Sequence, residues 1–504
     1  DMQVALGKEN DKKTKAILQS DFENHLRETV RKLRVALTFV NPQTPSKRVH
    51  QIRKSLGHML YYLKKRYEAA VYAGYVADNA RKIDNELALQ ASVLAYYTWM
   101  DAYYAVPQGA KKEFEVTMLK KALERTIMYW GDRKEAANAM MNLGKLYSGM
   151  DKPALAAAQF NRIPSSSEEY PAAQFEAGRS FLAAYAVAFK WKDEEHPDKK
   201  EKMKYFESAA EKHFRRAITI FEKKLSPKKP LTPQLADSKR NLASILKFRS
   251  QFQQAIDVLT KEPHSVLKAI QVKNEKSRPK EGVKSKRFAK NVYQMLLFSY
   301  IGVSNVKQAT AMLDALDRIG GKADTSYYVS LGKKIGKDIE RLKEEGKIAE
   351  LKKMRASLES FLDTLSAQKK GQTYQSLIWV AETYNGLGMG MKENPQAAKV
   401  YFTKAAVSYK AIIDRAETEG DQFLDKERVL RVRLRLVNCW REEGQYENAF
   451  KMAQSLIKAA PKNLNAQQEM ARLLQSWGIN KNPDKLLIAI LGNMNDKKTG
   501  QIWG

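Results

Sequence analysis

One thiol, Cys439, and six imidazoles, His25, His50, His58, His196, His213 and His264, are the soft nucleophiles and metal ligands of this chain. A cysteine attacks as its thiolate, which needs a nearby base or a positive field. No histidine lies near Cys439 in sequence, and Asn438 and Trp440 flank it in a helical pattern. A buried, inert thiol is the expectation. One cysteine excludes an intramolecular disulfide and a zinc site of several thiolates. His50 and His58 stand eight apart, too far for a ligand pair on one helical turn. The chain has no Gly-x-x-x-x-Gly-Lys-Ser/Thr phosphate loop, no His-Glu-x-x-His pair and no Gly-x-Ser-x-Gly elbow between strand and helix. Gly386, Gly388 and Gly390 form a glycine run, but no strand precedes it, and an interhelical turn accounts for it better than a nucleotide cradle. Glu168-Glu169 and Glu442-Glu443 are adjacent carboxylates, and neighbours on a helix do not face each other. The aromatic run Tyr96-Tyr97-Thr98-Trp99 with Tyr103-Tyr104 suits either a stacking platform or a helical seam, and the seam is the commoner use. The sequence therefore assigns no catalytic residue, no cofactor and no metal.

Charge is the stronger signal. Across 504 residues, 88 Lys and Arg face 57 Asp and Glu, a net +31. Residues 201–300 alone hold 23 Lys and Arg against 9 Asp and Glu. Inside them, Lys276, Arg278, Lys280, Lys284, Lys286 and Arg287 surround Pro279 and Gly282 without apolar periodicity. This segment reads as an exposed loop that either meets an anionic partner or serves solubility.

The elements that must carry these residues are helices. Apolar residues recur at three- and four-residue spacing, as in Leu56, Leu60, Leu63, Tyr67, Val71 and Tyr75, which predicts one apolar face over 53–79. Gly and Pro punctuate the chain at intervals of one to three helix lengths, and alternating strand patterns are nearly absent. Arg431 to Leu436 alternates, yet it lies in a breaker-free window and is assigned to helix. No stretch reaches the roughly 20 apolar residues of a membrane span. No apolar run long enough for a secretory leader follows Asp1, so a removed leader or a start within a longer protein is expected, and the polar tail missing after Trp503-Gly504 suggests truncation. Compartment, whether cytoplasmic or exported, and oligomeric state are not indicated.

A repeated frame underlies the helices. Gly144 and Tyr147 precede Ala156 by twelve and nine residues, with Phe160 beyond. The same offsets fit Gly57, Leu60, Ala69; Ala243, Leu246, Ala255; Leu297, Tyr300, Ala309; and Val437, Trp440, Ala449. A 34-residue step relates Gly144 and Tyr147 to Gly178 and Phe181. Such offsets describe a helical hairpin in which small residues let two helices approach while large ones fill the seam. One hairpin cannot bury its apolar face alone, so hairpins stack. Gly144 is expected to face Ala156.

Leu143-Gly144-x-x-Tyr147 with Ala156 and Phe160, and Gly444-x-Tyr446-x-x-Ala449 with Pro461, resemble the tetratricopeptide repeat (TPR). Gly388 to Ala398, leading to Lys404-Ala405-Ala406, is similar to the Sel1-like repeat. The resemblance implies an all-α fold, an α-solenoid wound as a right-handed superhelix of antiparallel hairpins. The expected layout is a helical lead-in over 1–45, a solenoid over 46–268, a basic linker or loop over 269–288, a second solenoid over 289–492 and a C-terminal segment over 493–504. A charged loop is expected over 190–204, and lengthened hairpins over 84–130 and 327–367.

The family's usual role implies a non-enzymatic scaffold that binds a protein or peptide on the concave face lined by first helices. The mapped groove positions are Lys54, His58 and Tyr61; Asn138, Met141, Lys145 and Ser148; Phe175 and Arg179; Arg240, Ser244 and Lys247; and Arg431, Asn438 and Arg441. Their basic character suits an acidic partner. The alternatives are a polyanion- or nucleic-acid-binding repeat protein acting through residues 201–300, and a regulatory fragment of an enzyme.

Overall fold

A computed structural model of the chain describes residues 12–320, 341–344, 346–367, 374–391 and 394–480. Among the described residues every regular element is helical. The chain divides into two compact units, Asp1–Leu242 and Ala243–Gly504. The basic segment 269–288 lies inside the second unit. The expected C-terminal segment 493–504 lies outside the described residues.

The first unit begins with α1 (Lys12–Thr38), then α2 (Ser46–Tyr62), α3 (Arg66–Asn79), α4 (Asn85–Ala105), α5 (Glu113–Tyr129), α6 (Lys134–Gly149), α7 (Pro153–Asn161), α8 (Tyr170–Phe189) and α9 (Lys199–Lys224). Each packs on the next, and the most extensive pairing is α8 on α9, across the loop 190–198. The charged insertion is shorter than expected. Residues 190–198 form the loop, because Lys199 already opens α9. Helix α10 (Pro233–Phe248) spans the division. The second unit continues with α11 (Phe252–Thr260), α12 (Val266–Ala269), α13 (Lys286–Gly302), α14 (Val306–Gly320), α15 (Ile348–Ala367), α16 (Tyr374–Met389), α17 (Pro395–Glu419), α18 (Lys426–Glu443), α19 (Tyr446–Ala459) and α20 (Leu464–Asn480). The expected hairpin over 327–367 falls partly on residues outside those described.

Five hairpins close in the same way, at the five places where the frame recurs. Seven residues after its small position, each turn has a residue with positive φ: Lys64 (60°), Asp151 (54°), Ser250 (61°), Ser304 (60°) and Gly444 (81°). The next amide then reaches back over the helix end. Lys65 N donates to Leu60 O at 2.9 Å, Lys152 N to Tyr147 O at 3.0 Å, Gln251 N to Leu246 O at 2.9 Å, Asn305 N to Tyr300 O at 2.9 Å and Gln445 N to Trp440 O at 2.8 Å. This left-handed C-terminal cap satisfies carbonyls that a helix end leaves open and turns the chain sharply enough for the second helix to fold back.

The turn at Lys64 also corrects one expectation. Residues 53–79 are two helices, so the apolar stripe changes phase at the turn. Leu56 and Leu60 are fully buried, whereas Tyr67, Val71 and Tyr75 are exposed.

The seams are built as the frame requires, with one difference. A β-carbon at Gly57 would stand 3.4 Å from the carbonyl oxygen of Ala69, a small-on-small crossing. At Gly144 the space is taken by the ring of Phe160 rather than by Ala156, and at Gly178 by the ring of Phe214. All three second-helix residues are fully buried. Enclosing a phenylalanine contributes about 2–3 kcal/mol.

Candidate functional site

In the first unit, α2 and α4 are the first helices of successive hairpins, and a cleft of about 420 Å³ opens between them. Tyr61 and Tyr62 from α2 and Tyr97 from α4 line it, over Leu89, Val93 and Leu94. The polar groups at its edge are His58, Glu86, Gln90 and Glu135, the last from α6. Leu89, Val93 and Tyr97 follow each other at four-residue spacing, which places them on one side of α4. Asp84 fixes the start of that helix. It accepts a hydrogen bond from Leu87 N at 2.9 Å and pairs with Lys47 at 2.9 Å. Both contacts hold its carboxyl below the usual range.

The electrostatics of the cleft differ from the basic groove expected. Lys54 Nζ donates to Gln90 Oε1 at 2.6 Å. Arg133 pairs with Glu86 at 2.9 Å and stands 4.0 Å from Glu135. Lys54 is held by a neutral amide and Arg133 stands between two carboxylates, so the cleft is amphipathic rather than cationic. Burial, with Lys54 beside it, lowers the pKa of His58 and favours its neutral imidazole at neutral pH. Burial also raises the phenol of Tyr61.

The other mapped positions fall as follows. In the first unit Asn138 is half-buried and Lys145 exposed, while the exposed Arg179 pairs with Glu176 at 3.3 Å. Arg240, half-buried, pairs with Asp237 at 2.9 Å. Met141 and Phe175 are buried, so neither is presented to a partner. In the second unit Lys247 stands over the Phe298 ring, 5.1 Å from its centroid. Asn438 and Arg441 both turn onto Glu469 of α20, at 3.3 Å and 2.9 Å. These two tie α18 to α20. Sequence reasoning named His58 and Tyr61 of the cleft and missed Tyr62, Leu89, Val93 and the two glutamates. It named Tyr97 only within an aromatic run, from which the structure selects: Tyr96 and Trp99 are buried, Tyr97 and Tyr104 exposed.

The basic segment is more ordered than a free loop. Asn274 Oδ1 accepts from Lys276 N at 2.9 Å and opens a short 3-10 turn over Glu275–Ser277. Arg278 is a staple within it. Its side chain is 3% exposed, its Nε meets Glu275 Oε2 at 2.5 Å, and its Nη1 donates to the carbonyls of Ile270 and Lys284 at 2.8 and 3.0 Å. Arg278 therefore leaves the expected anion-contact set. Lys276, Lys280, Lys284, Lys286 and Arg287 remain exposed. Lys286 and Arg287 open α13, where Ser285 accepts from Phe288 N at 3.3 Å. Cations at a helix N-terminus add to the positive end of its dipole, which costs helix stability and strengthens the local positive field.

Cys439 is buried, and its Sγ lies 3.6 Å from Asn385 Oδ1. Burial raises its pKa, the opposite of what a nucleophile needs. A β-carbon at Gly388 would stand 2.9 Å from the Phe402 ring, so that glycine serves the α16–α17 crossing. Among the described residues no group of three or more His, Cys, Asp or Glu is placed to hold a metal ion. No helix among them is long and apolar enough to cross a membrane.

Neither a protein-family model nor a curated protein sequence matches the chain. Solved structures with similar folds include a kinesin light chain from Podosopora anserina with nearly identical TPR-like repeats, at 15% identity, covering 42% of this chain and 90% of that one, with a TM-score of 0.27. The P58(IPK) TPR domain is similar at 11% identity over 86% of this chain and 99% of that one, with a TM-score of 0.22. Yeast Tom70 is similar at 11% identity over 91% and 99%, with a TM-score of 0.21. At such identities and scores they add nothing to the description of the site. The repeat architecture rests on the chain's own hairpins, with a left-handed turn residue at a fixed offset and small-residue seams. Among the described residues these make the chain an all-α protein of repeated helical hairpins.

Proposed function

We propose that this chain is a non-enzymatic scaffold that holds a protein partner on the face carried by its first helices. The observation that supports it is the α2–α4 cleft, where exposed tyrosines stand over an aliphatic floor. Tyrosines give a large contact area at low entropy cost and keep a hydroxyl for hydrogen bonding, which suits recognition of a peptide segment. The partner side chain entering here is apolar or aromatic with a polar end, because the lining is mostly aromatic and aliphatic and its carboxylates Glu86 and Glu135 already share Arg133. Acidic groups of the same partner reach Lys145 and Arg179 farther along the first unit. Replacing Tyr62 and Tyr97 together by alanine tests this. Both side chains are 39% exposed, so the fold survives their loss. The bound partner is then lost from the purified chain. Retention of that partner at parental stoichiometry places it on another face.

A second reading is favoured by the exposed cations of the basic segment. Lys276, Lys280, Lys284, Lys286 and Arg287 carry no ion pair among the described residues, and they surround a turn that Arg278 holds in place. A polyanion bound there would be recognised by charge, without readout of base edges.

A further inference from the structure

The exposed stripe on α3 leads to a second surface. Tyr67, Val71 and Tyr75 are 50%, 64% and 46% exposed and lie at four-residue spacing on one side of that helix. Helix α5, the second helix of the next hairpin, presents Phe114, Met128 and Tyr129, at 58%, 67% and 42% exposure. Between the two helices runs a groove of about 440 Å³, with Trp99 of α4 and Ala122 in its floor. Tyr67, Trp99 and Phe114 pack together at one end, with ring centroids 5.6–6.3 Å apart. Met128 and Tyr129 stand at the other. By the rise of a helix, the apolar walls run about 12 Å along α3 and about 22 Å along α5. This is the length of a helix of two to four turns.

Gly74 sets the depth of the groove. A glycine inside a helix weakens it, and the helical glycines Gly144, Gly178 and Gly388 are each explained by an aromatic ring closer than 3.0 Å to a β-carbon built there. Gly74 has no such neighbour. Its β-carbon would stand 3.6 Å from Arg125 Nη1, an ordinary contact, and would project into the groove. The missing side chain serves the open space rather than the packing beneath it.

Charge indicates the occupant. Arg53 stands 4.6 Å over the Tyr75 ring and Arg81 3.5 Å over the Tyr129 ring, and Lys121 lines the groove. None of these three has an ion pair among the described residues. The groove's one carboxylate, Asp78, is engaged by Arg125 at 3.2 Å. The chain as a whole carries +31, which disfavours a second copy of itself and attracts an anionic protein.

We propose that the α3–α5 groove is a second docking surface, independent of the first-helix cleft, and that it takes an acidic amphipathic helix of a partner protein. The apolar face of that helix lies against Val71, Tyr75, Met118 and Met128, and its carboxylates meet Arg53, Arg81 and Lys121.

The test uses the full chain and two displayed libraries of 16-residue amphipathic helices with randomised apolar faces. One library carries glutamate on its polar face, the other lysine. Enrichment of glutamate-faced clones is expected. Their affinity falls at least tenfold for Gly74→Leu, which fills the groove, and for Val71→Lys with Met128→Lys, which charges its exposed walls without touching the core. Tyr62→Ala with Tyr97→Ala leaves that affinity unchanged. The second groove variant keeps the test open if Gly74→Leu lowers the melting temperature. Equal enrichment of the lysine library, or clones that bind both groove variants as tightly as the parent, would overturn the proposal. So would a self-association seen by sedimentation and abolished by Gly74→Leu, which would give the groove to a second copy of the chain.

Discussion

Gly144 and Phe160 occupy one another's space. The ring of Phe160 lies where the side chain of residue 144 would begin, with its Cε1 2.5 Å from that position. Gly178 and Phe214 repeat the relationship at 2.8 Å, although 36 residues separate them and only 16 separate the first pair. The longer interval is absorbed by the loop after α8 and by the length of α9. What the repeat preserves is the contact between two helix faces, and the chain between them is free to grow.

Filling that notch is costly. Gly144→Leu is expected to lower the stability of the first unit by about 1–3 kcal/mol, since the ring has no room to withdraw in a packed seam. Adding Phe160→Ala should recover part of the loss, so that the double variant is less destabilised than the sum of the singles. Urea unfolding of the four proteins measures this. Strict additivity would show that the two side chains do not compete.

The turns give a prediction of opposite signs. Gly444 and Lys64 hold the same left-handed conformation in equivalent turns, at φ 81° and 60°. A β-carbon there costs about 1–2 kcal/mol. Gly444→Ala should therefore destabilise by about 1 kcal/mol or more, while Lys64→Gly should be neutral or stabilising. Thermal melts of both variants decide it, and a Lys64→Gly loss as large as that of Gly444→Ala would contradict the equivalence.

His213 makes the first unit sensitive to acid. It lies in the α8–α9 seam, 4% exposed, stacked on Phe181, with its Nδ1 2.8 Å from Gln174 Oε1. Burial, aided by Arg216 and Lys212, brings its pKa from 6.5 down to about 4. The folded state keeps the neutral ring while the unfolded chain takes up a proton below pH 6.5. The stability is therefore complete above pH 6.5 and is lost as pH falls toward 4, by about 3 kcal/mol. His213→Gln should flatten the dependence between pH 6.5 and 4 in denaturant titrations. An unchanged slope would mean that another group is responsible.

The sequence carries the seams of this fold plainly and its surfaces poorly, for physical reasons. Gly57, Gly144 and their partners are legible because helix crossing demands small residues at fixed offsets. The turns are not, because four of the five left-handed positions are Lys64, Asp151, Ser250 and Ser304, which any loop tolerates. Tyr67, Val71 and Tyr75 continue the spacing of Leu56 and Leu60, so the phase change at Lys64 is invisible until the turn is seen. Tyr96 and Tyr97 differ by only one position, yet about 100° of helix rotation sends one to the core and the other to the cleft. Arg278 looks like its basic neighbours, and only its contacts with two carbonyls distinguish it.

Cys439 should behave as a core residue. Its burial and raised pKa predict that iodoacetamide leaves it unmodified in the native protein and alkylates it once the second unit unfolds in denaturant. Mass spectrometry across a urea series follows both transitions. Rapid alkylation without denaturant would show that the α16–α18 seam opens in the native state.

The basic segment separates two roles that its composition confounds. Arg278 is structural: Arg278→Gln removes its bond to Glu275 and its hold on the Ile270 and Lys284 carbonyls, and should cost about 1.5–3 kcal/mol. Lys280, Lys284, Lys286 and Arg287 are exposed, so changing all four to Gln should leave the melting temperature nearly unaltered. If these four meet a polyanion, their loss should reduce the slope of log affinity against log salt by about 3 to 4 for duplex DNA, since each neutralised phosphate releases close to one counterion. Binding should be indifferent to base sequence. The comparison is made on heparin, RNA and duplex DNA with the same three proteins: the parent, the quadruple variant and Arg278→Gln. A quadruple variant that binds all three polyanions with the parental slope would assign these cations to solubility. One that melts early would give them the structural role now carried by Arg278.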